Sequence, residues 1–182
     1  MTTPSLAQLR AEPVVSAAVI IAVTGVATIL GAYFFQYVLN LPPCPLCLEQ
    51  RYAYYFAIPL AAMILLGVSV GSSRKVMLLA LLAIAAAMLW NAGLGVYHSG
   101  VEWKWWAGPQ DCAGSSLPSF SSGNLLEQMD KARVVRCDEA AWRFLGLSLA
   151  GYNALISLAL AAVALWGAAA AWRAVPPREP LD

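Results

Sequence analysis

Residues 40–51 read Asn-Leu-Pro-Pro-Cys-Pro-Leu-Cys-Leu-Glu-Gln-Arg and separate two long apolar runs of the chain. The segment contains a Cys-x-x-Cys pair, Cys44 and Cys47. Two thiols this close in sequence can form only a small, strained disulfide ring, which suits thiol–disulfide exchange better than structural cross-linking. The prolines predict a break followed by a new helix, because proline is tolerated in a first helical turn. The segment therefore predicts a reactive thiol pair where a helix begins.

The composition is typical of a membrane protein. Apolar residues make up 60% of the 182 residues, charged residues only 12%, and the mean hydropathy is +0.67. This apolar fraction exceeds that of an ordinary soluble domain. The formal net charge of +1 does not indicate a nucleic-acid partner or a polybasic lipid-binding surface. We therefore expect a protein that resides in the bilayer and binds no nucleic acid.

Four uncharged runs are long enough to cross a bilayer, which takes about 20 helical residues. They cover residues 14–38, 52–71, 76–97 and 144–171, and the second helix is expected to begin near Cys44. The first run exceeds the apolar part of a cleaved signal peptide, which has about 7 to 15 residues. We predict an all-α bundle of four transmembrane helices that forms one membrane domain over residues 1–182. Its loops are residues 39–51 and a long extracytoplasmic segment, residues 98–143.

The orientation follows from basic residues and redox logic. The short turn between the second and third runs contains Arg74 and Lys75, and Arg10 and Arg173 lie near the termini. Short basic segments favour the cytoplasmic side. Disulfides persist outside the cytoplasm. We therefore expect a multi-pass protein of a bacterial inner membrane, with both termini in the cytoplasm and the cysteines on the periplasmic side.

The chain has two further cysteines, Cys112 and Cys137, in the long loop. They favour a second exchange pair on the same side as the first. One alternative is a structural disulfide that fixes the loop. Another is a zinc site formed by all four cysteines, although 24 residues separate the second pair and zinc sites usually have two closely spaced pairs. Either alternative would fit a non-enzymatic tetraspan protein stapled by disulfides or by zinc.

Arg51 is the candidate charged partner of the thiols. If Cys44 caps the second helix, Cys47 lies one turn in and Arg51 follows four residues later on the same face. A helix N-terminus and a nearby cation both favour thiolate, and the helix end favours Cys44 as the more acidic thiol. The alternative for Arg51 is that its side chain extends to lipid headgroups.

Paired thiols at a membrane need an electron acceptor, and the sequence has no haem, flavin or nucleotide motif. A lipid-soluble quinone would suffice. It could lie between helices near Cys47 and would need a donor for the charge that develops on its oxygens. Arg51 is the first candidate donor. His98, the single histidine, is the second, with an interfacial headgroup contact as its alternative role.

The joint pattern resembles the DsbB family of disulfide bond formation proteins over nearly the whole chain. The resemblance is carried by Cys44-Pro-Leu-Cys47 followed by Arg51, by the loop pair Cys112 and Cys137, and by Arg136-Cys-Asp-Glu-Ala-Ala-Trp-Arg-Phe-Leu-Gly-Leu-Ser148. It implies an inner-membrane four-helix bundle that reoxidises a periplasmic thioredoxin-fold thiol oxidase (DsbA-like). The electrons would pass to ubiquinone or menaquinone.

The resemblance also implies a role for each cysteine. Cys112 would be attacked by the partner's thiolate, Cys137 would exchange with Cys44, and Cys47 would face the quinone as a thiolate beside Arg51. The chain departs from the family pattern at Gln50, where the resemblance implies an acid. A quinone reductase of the vitamin K epoxide reductase type is disfavoured, because its Cys-x-x-Cys would be expected late in the chain.

Overall fold

The computed structural model describes residues 13–109 and 136–173, and its main elements are four long helices. Helix α1 (Pro13–Tyr33) continues as a π-helical turn, Phe34–Val38, and is followed by α2 (Pro45–Ser69), α3 (Arg74–Glu102) and α4 (Leu149–Arg173). Each of the four is long and apolar enough to cross a membrane. Two short strands, β1 (Arg143–Phe144) and β2 (Leu147–Ser148), pair antiparallel before α4. The predicted bundle of four transmembrane helices is confirmed.

Two helix ends differ from the limits predicted from the uncharged runs. Helix α3 continues to Glu102, so His98 lies within a helix and not in the loop. Polar side chains interrupt a hydropathy pattern, but they do not end a helix when the protein interior surrounds them. Helix α4 begins only at Leu149, because residues 143–148 form a hairpin whose turn residues, Leu145 and Gly146, both have positive φ. That is the conformation of a two-residue hairpin turn.

Small residues allow the helices to approach closely. A Cβ atom at Gly95 of α3 would lie 2.9 Å from the Cβ of Ala154 in α4, whereas a Cβ at Gly93 would meet nothing within 4 Å. At the opposite end of the bundle, a Cβ at Gly167 would lie 2.7 Å from the Cβ of Ala17. Close packing of this kind holds membrane helices together, because lipid tails are as apolar as the helix surfaces.

A buried polar cluster connects α2, α3 and α4 inside the bundle. The hydroxyl of Tyr54 donates a hydrogen bond to Oδ1 of Asn153 at 2.6 Å and lies 3.2 Å from Oγ of Ser157. Ser157 also accepts a hydrogen bond from Nδ2 of Asn91 at 2.9 Å. Polar groups at this depth need partners within the protein, since hydrocarbon offers none. The cluster therefore fixes the relative rotation of three helices.

We expect the Tyr54→Phe substitution to destabilise the bundle by about 0.6 to 1.7 kcal/mol, which are the average and the maximum found for hydrogen bonds between membrane helices by double-mutant cycles. The substitution removes the hydroxyl but keeps the ring. Tyr54 is 2% exposed and Tyr52, two residues earlier, is 68% exposed, so Tyr52→Phe is the matched control. Denaturant unfolding in detergent would measure both variants. Equal stability of the two would contradict a stabilising role for this hydroxyl.

Candidate functional site

The start of α2 positions the thiol pair. Cys44 is the N-cap, with an extended backbone (φ −75°, ψ 165°), and Pro45 is the first helical residue. The backbone N–H of Cys47 donates to Sγ of Cys44 at 3.2 Å, which satisfies one of the free donors at the helix end. Cys44 is buried, Cys47 is half-buried, and both are free thiols. The predicted helix start near Cys44 is confirmed.

The expectation that Cys44 is the more acidic thiol is not supported. The hydrogen bond with the Cys47 side chain and burial both raise the pKa of the Cys44 thiol. The backbone N–H of Cys47 acts in the opposite direction but does not outweigh them. The helix N-terminus favours thiolate, but it is only one of the influences on Cys44. A buried thiol beside a second sulfur favours the neutral form, and this effect is the larger one.

His98 of α3 lies against the first cysteine. Its Nε2 is 3.7 Å from Sγ of Cys44, and its Nδ1 is 2.9 Å from Nε2 of Gln50. The amide oxygen of Gln50 accepts a hydrogen bond from Nδ2 of Asn153 at 2.5 Å, so its nitrogen faces His98 and donates. The imidazole is only 3% exposed, which is inconsistent with the alternative of a headgroup contact.

Gln50 and Asn153 were not identified as site residues from the sequence. An amide at position 50 holds His98 without adding charge, and Asn153 holds that amide from the opposite helix. A buried amide needs such partners to avoid an uncompensated desolvation cost. The only sequence signal for Gln50 was its position, as a polar residue one helical turn after Cys47. Nothing in the sequence pointed to Asn153.

Arg51 is tied to α1 and does not extend freely to the membrane surface. Its Nη1 donates to Oε1 of Gln36 at 2.7 Å, and its guanidinium carbon lies 5.4 Å from the centre of the Tyr33 ring. Both contacts come from the end of α1, where the π-helical turn begins. They hold a permanent positive charge on the side of α2 that faces α1.

A cavity of about 460 Å³ lies beside the thiol pair, and its lining is mostly apolar. Residues from all four helices and from the segments before α2 and α4 contribute to it. Its polar and thiol-bearing lining includes Cys47, Gln50, Arg51, Tyr54, His98 and Asn153. The structure thus brings Cys47, Arg51 and His98 to one cavity, as the sequence hypothesis required.

The loop cysteine Cys137 packs next to the first thiol. It is fully buried in an apolar cluster with Cys44, Leu46 and Val101, and Cys47 packs against the edge of that cluster. Cys137 is disulfide-bonded, whereas Cys44 and Cys47 are not. Cys112 lies outside the described residues. One loop cysteine and the first helix cysteine are therefore neighbours in the fold.

The chain matches a family model described as "Disulfide bond formation protein DsbB" over residues 15–167. It belongs to the DsbB family. It is 29% identical to a disulfide bond formation protein B of Psychrobacter sp. over 84% of this chain and 88% of the relative. A protein of the same name from Xanthomonas oryzae pv. oryzae is 33% identical over 79% of this chain and 81% of the relative. No solved structure matches the chain significantly.

Membership of the DsbB family makes the chain a multi-pass membrane protein of disulfide bond formation, with an oxidoreductase role. An uncharacterized protein of Rickettsia prowazekii is also similar, at 28% identity over 71% of this chain and 73% of the relative. The confirmed resemblance and the geometry now point to the same residues, since the free thiol pair lies beside both the cavity and the loop cysteine.

One further acidic residue lies at this site and was not identified from the sequence. Glu102, the last residue of α3, is 8% exposed, and its Oε1 lies 3.8 Å from Nε2 of His98. The two residues are four positions apart, so they share a helix face. That spacing could have revealed the pair, but the predicted end of the span at residue 97 placed both in the loop.

Proposed function

We propose that the chain is a quinone-dependent protein-disulfide oxidoreductase. It reoxidises a periplasmic thioredoxin-fold thiol oxidase (DsbA-like) and passes two electrons through two cysteine pairs to ubiquinone or menaquinone. One observation carries the proposal: Cys47 lines an apolar cavity together with Arg51, while Cys44 is buried in one cluster with Cys137. The thiol pair therefore lies between an entry point and an exit point for electrons.

The outer half of the proposal is two successive disulfide transfers, each made of two thiol–disulfide exchange steps. A partner thiolate attacks Cys112 of a Cys112–Cys137 disulfide, and the partner's second thiol then displaces it, so that the partner becomes oxidised and both loop cysteines become thiols. The Cys137 thiolate next attacks Cys44 of a Cys44–Cys47 disulfide and releases Cys47 as thiolate. Attack by Cys112 on Cys137 restores the loop disulfide and leaves Cys44 and Cys47 reduced. The shared buried cluster of Cys44 and Cys137 supports the attack of Cys137 on Cys44.

The inner half depends on the cavity. A volume of about 460 Å³ is within the usual range for small-molecule sites, and an apolar lining with a few polar groups suits a planar apolar ring with two carbonyls. A bound quinone would accept two electrons and two protons as the thiols become a disulfide. Arg51 stabilises negative charge at the edge of the cavity, and Cys47 supplies the thiolate that faces it.

The arrangement of charges supports the proposed orientation. The basic turn before α3, with Arg74 and Lys75, lies at the same end of the bundle as the start of α1 and the end of α4 with Arg173. The thiol pair is at the other end, where α2 begins and α3 ends. The positive-inside rule assigns the basic end to the cytoplasm of a bacterial inner membrane, which leaves the cysteines on the periplasmic side.

The decisive assay uses the purified protein in detergent, a reduced thioredoxin-fold dithiol protein, and a short-chain ubiquinone or menaquinone. We expect the quinone absorbance to fall as the partner is oxidised, with one quinol formed for each partner disulfide. Protein whose thiols have been alkylated serves as the control. Partner and quinone that both remain unchanged, with the four cysteines intact, would refute the proposal and favour a stapled tetraspan protein.

A further inference from the structure

Three potential metal ligands converge at the reduced thiol pair. Sγ of Cys44, Sγ of Cys47 and a ring nitrogen of His98 all lie within 4.8 Å of one another. In a tetrahedral zinc site with bonds of about 2.0 to 2.3 Å, ligand atoms are spaced by about 3.3 to 3.8 Å. The distance of 3.7 Å between Sγ of Cys44 and Nε2 of His98 already matches this spacing. Small side-chain rotations would therefore complete three sides of such a site.

A buried carboxylate provides a second, independent observation. The side chain of Glu102 is 95% buried, and its Oε1 lies 3.8 Å from the same Nε2 of His98. Among the residues that the structure describes, its Oε2 has no hydrogen-bond partner. An unpartnered buried carboxylate oxygen is costly, and a cation would remove that cost. Glu102 is outside the group of three whose ligand atoms lie within 4.8 Å of one another, so its side chain must rotate toward the thiols to become the fourth ligand.

We infer that the reduced protein binds one Zn²⁺ ion through Cys44, Cys47 and His98, with Glu102 as the fourth ligand. Two thiolates, an imidazole and a carboxylate form a mixed sulfur, nitrogen and oxygen set that suits zinc and excludes hard cations such as Mg²⁺. Binding releases the two thiol protons to solvent, and no electrons move. The site differs from the four-cysteine zinc site considered from the sequence, because it uses Cys44 and Cys47 but neither loop cysteine.

The residues around His98 can support this role. When Nε2 binds a metal, Nδ1 carries the hydrogen, and metal-ligating histidines almost always donate it to a neighbouring acceptor. The Gln50 amide is at the required place, 2.9 Å from Nδ1, and a half-turn of that amide presents its oxygen. Asn153 can turn in the same way, since Tyr54 then accepts its N–H and donates to Ser157, and only the long hydrogen bond of 3.5 Å from Nδ2 of Asn91 to Oδ1 of Asn153 is lost.

The site exists only while the pair is reduced, because a Cys44–Cys47 disulfide removes two of the four ligands. Zinc would therefore hold both thiolates and withhold them from exchange. This competition does not depend on which molecule accepts the electrons. Zinc binding can therefore be absent while the proposed function is correct, and zinc can bind even if the proposed function is wrong.

Zinc titration of purified protein against a chromophoric chelator tests the inference, after a phosphine reductant has opened the disulfides. We expect one high-affinity site in the reduced protein and none after the Cys44–Cys47 pair is oxidised. Cobalt should give thiolate charge-transfer absorption and the intense visible bands of tetrahedral Co²⁺. The double variant Cys112→Ser, Cys137→Ser should keep the site. Its loss there, or equal binding by the oxidised protein, would overturn the inference.

Two single substitutions test the other ligands. We expect His98→Ala and Glu102→Gln each to weaken the affinity for zinc by at least roughly 10- to 100-fold. That is the loss seen when a residue that only hydrogen-bonds to a metal ligand is removed. The exposed acid Glu49 lies two residues beyond Cys47, so Glu49→Gln is the matched charge control and should leave the affinity unchanged. If His98→Ala bound zinc as tightly as the parent protein, the assigned ligand set would be wrong.

Discussion

The Cys47→Ser variant should lose quinone reduction completely, so that its rate falls to that of the uncatalysed mixture. Cys47 is the one thiol of the described chain that lines the cavity, and without it the inner pair can neither form a disulfide nor supply a thiolate there. Serine is nearly the same size and keeps the helix start, so folding should be unaffected. The decrease in quinone absorbance measures the rate, and unfolding in detergent checks the stability. A substantial residual rate would show that electrons leave by another route.

Two variants that each keep only two cysteines separate the roles of the two helix cysteines. A chain with only Cys44 and Cys137 should form an internal disulfide under mild oxidation, because both side chains are buried in one cluster. A chain with only Cys47 and Cys137 should form it much more slowly, since Cys47 packs only against the edge of that cluster. Thiol counting by mass spectrometry after alkylation distinguishes the two. Faster pairing of Cys47 would reverse the proposed order of exchange.

The Arg51→Gln variant should reduce quinone about 100- to 1,000-fold more slowly, the usual cost of removing one group that stabilises developing negative charge. Glutamine can still contact Gln36, but it lacks the permanent charge that the bond to Gln36 and the Tyr33 ring hold at the cavity. The loss should appear in the chemical step as well as in the apparent affinity for quinone. Stopped-flow measurements over a series of quinone concentrations would resolve the two effects, because the rate at saturation reports the chemical step and the half-saturating concentration reports the apparent affinity.

Two controls make the Arg51 result specific. Arg51→Lys keeps the charge but loses the planar donor, so we expect an intermediate rate. Arg173→Gln removes a cation from the last turn of α4, at the opposite end of the bundle, and should leave the rate unchanged. A rate for Arg51→Gln equal to that of the parent protein would mean that Arg51 has only a structural role.

The four spans and the position of the thiol pair could be predicted from the sequence, for clear physical reasons. A helix that crosses hydrocarbon must be long and uncharged, and this requirement is visible in composition alone. Proline fixes where a helix can begin, so Cys44, Cys47 and Arg51 could be placed on the first turns of α2. Local spacing also put Cys47 and Arg51 on the same face, and both line the cavity.

Contacts between distant residues could not be predicted in this way. His98 meets Cys44 across 54 positions, and Asn153 meets Gln50 across 103. Such contacts depend on how each helix is rotated about its axis, and uniformly apolar membrane helices carry little periodic signal of that rotation. The raised pKa of Cys44 could not be predicted for the same reason, because burial and the neighbouring sulfur are properties of the packed site.

The amino-acid sequence by itself therefore determined that this is a tetraspan membrane protein with a Cys-x-x-Cys pair at the start of its second helix. Both features follow from local requirements, namely hydrocarbon solubility and backbone geometry. Only the tertiary structure brought His98, Gln50 and Glu102 around that pair and buried Cys137 beside it. These neighbours come from α2, α3 and the segment before α4, and only packing of the helices at this end of the bundle sets their distances.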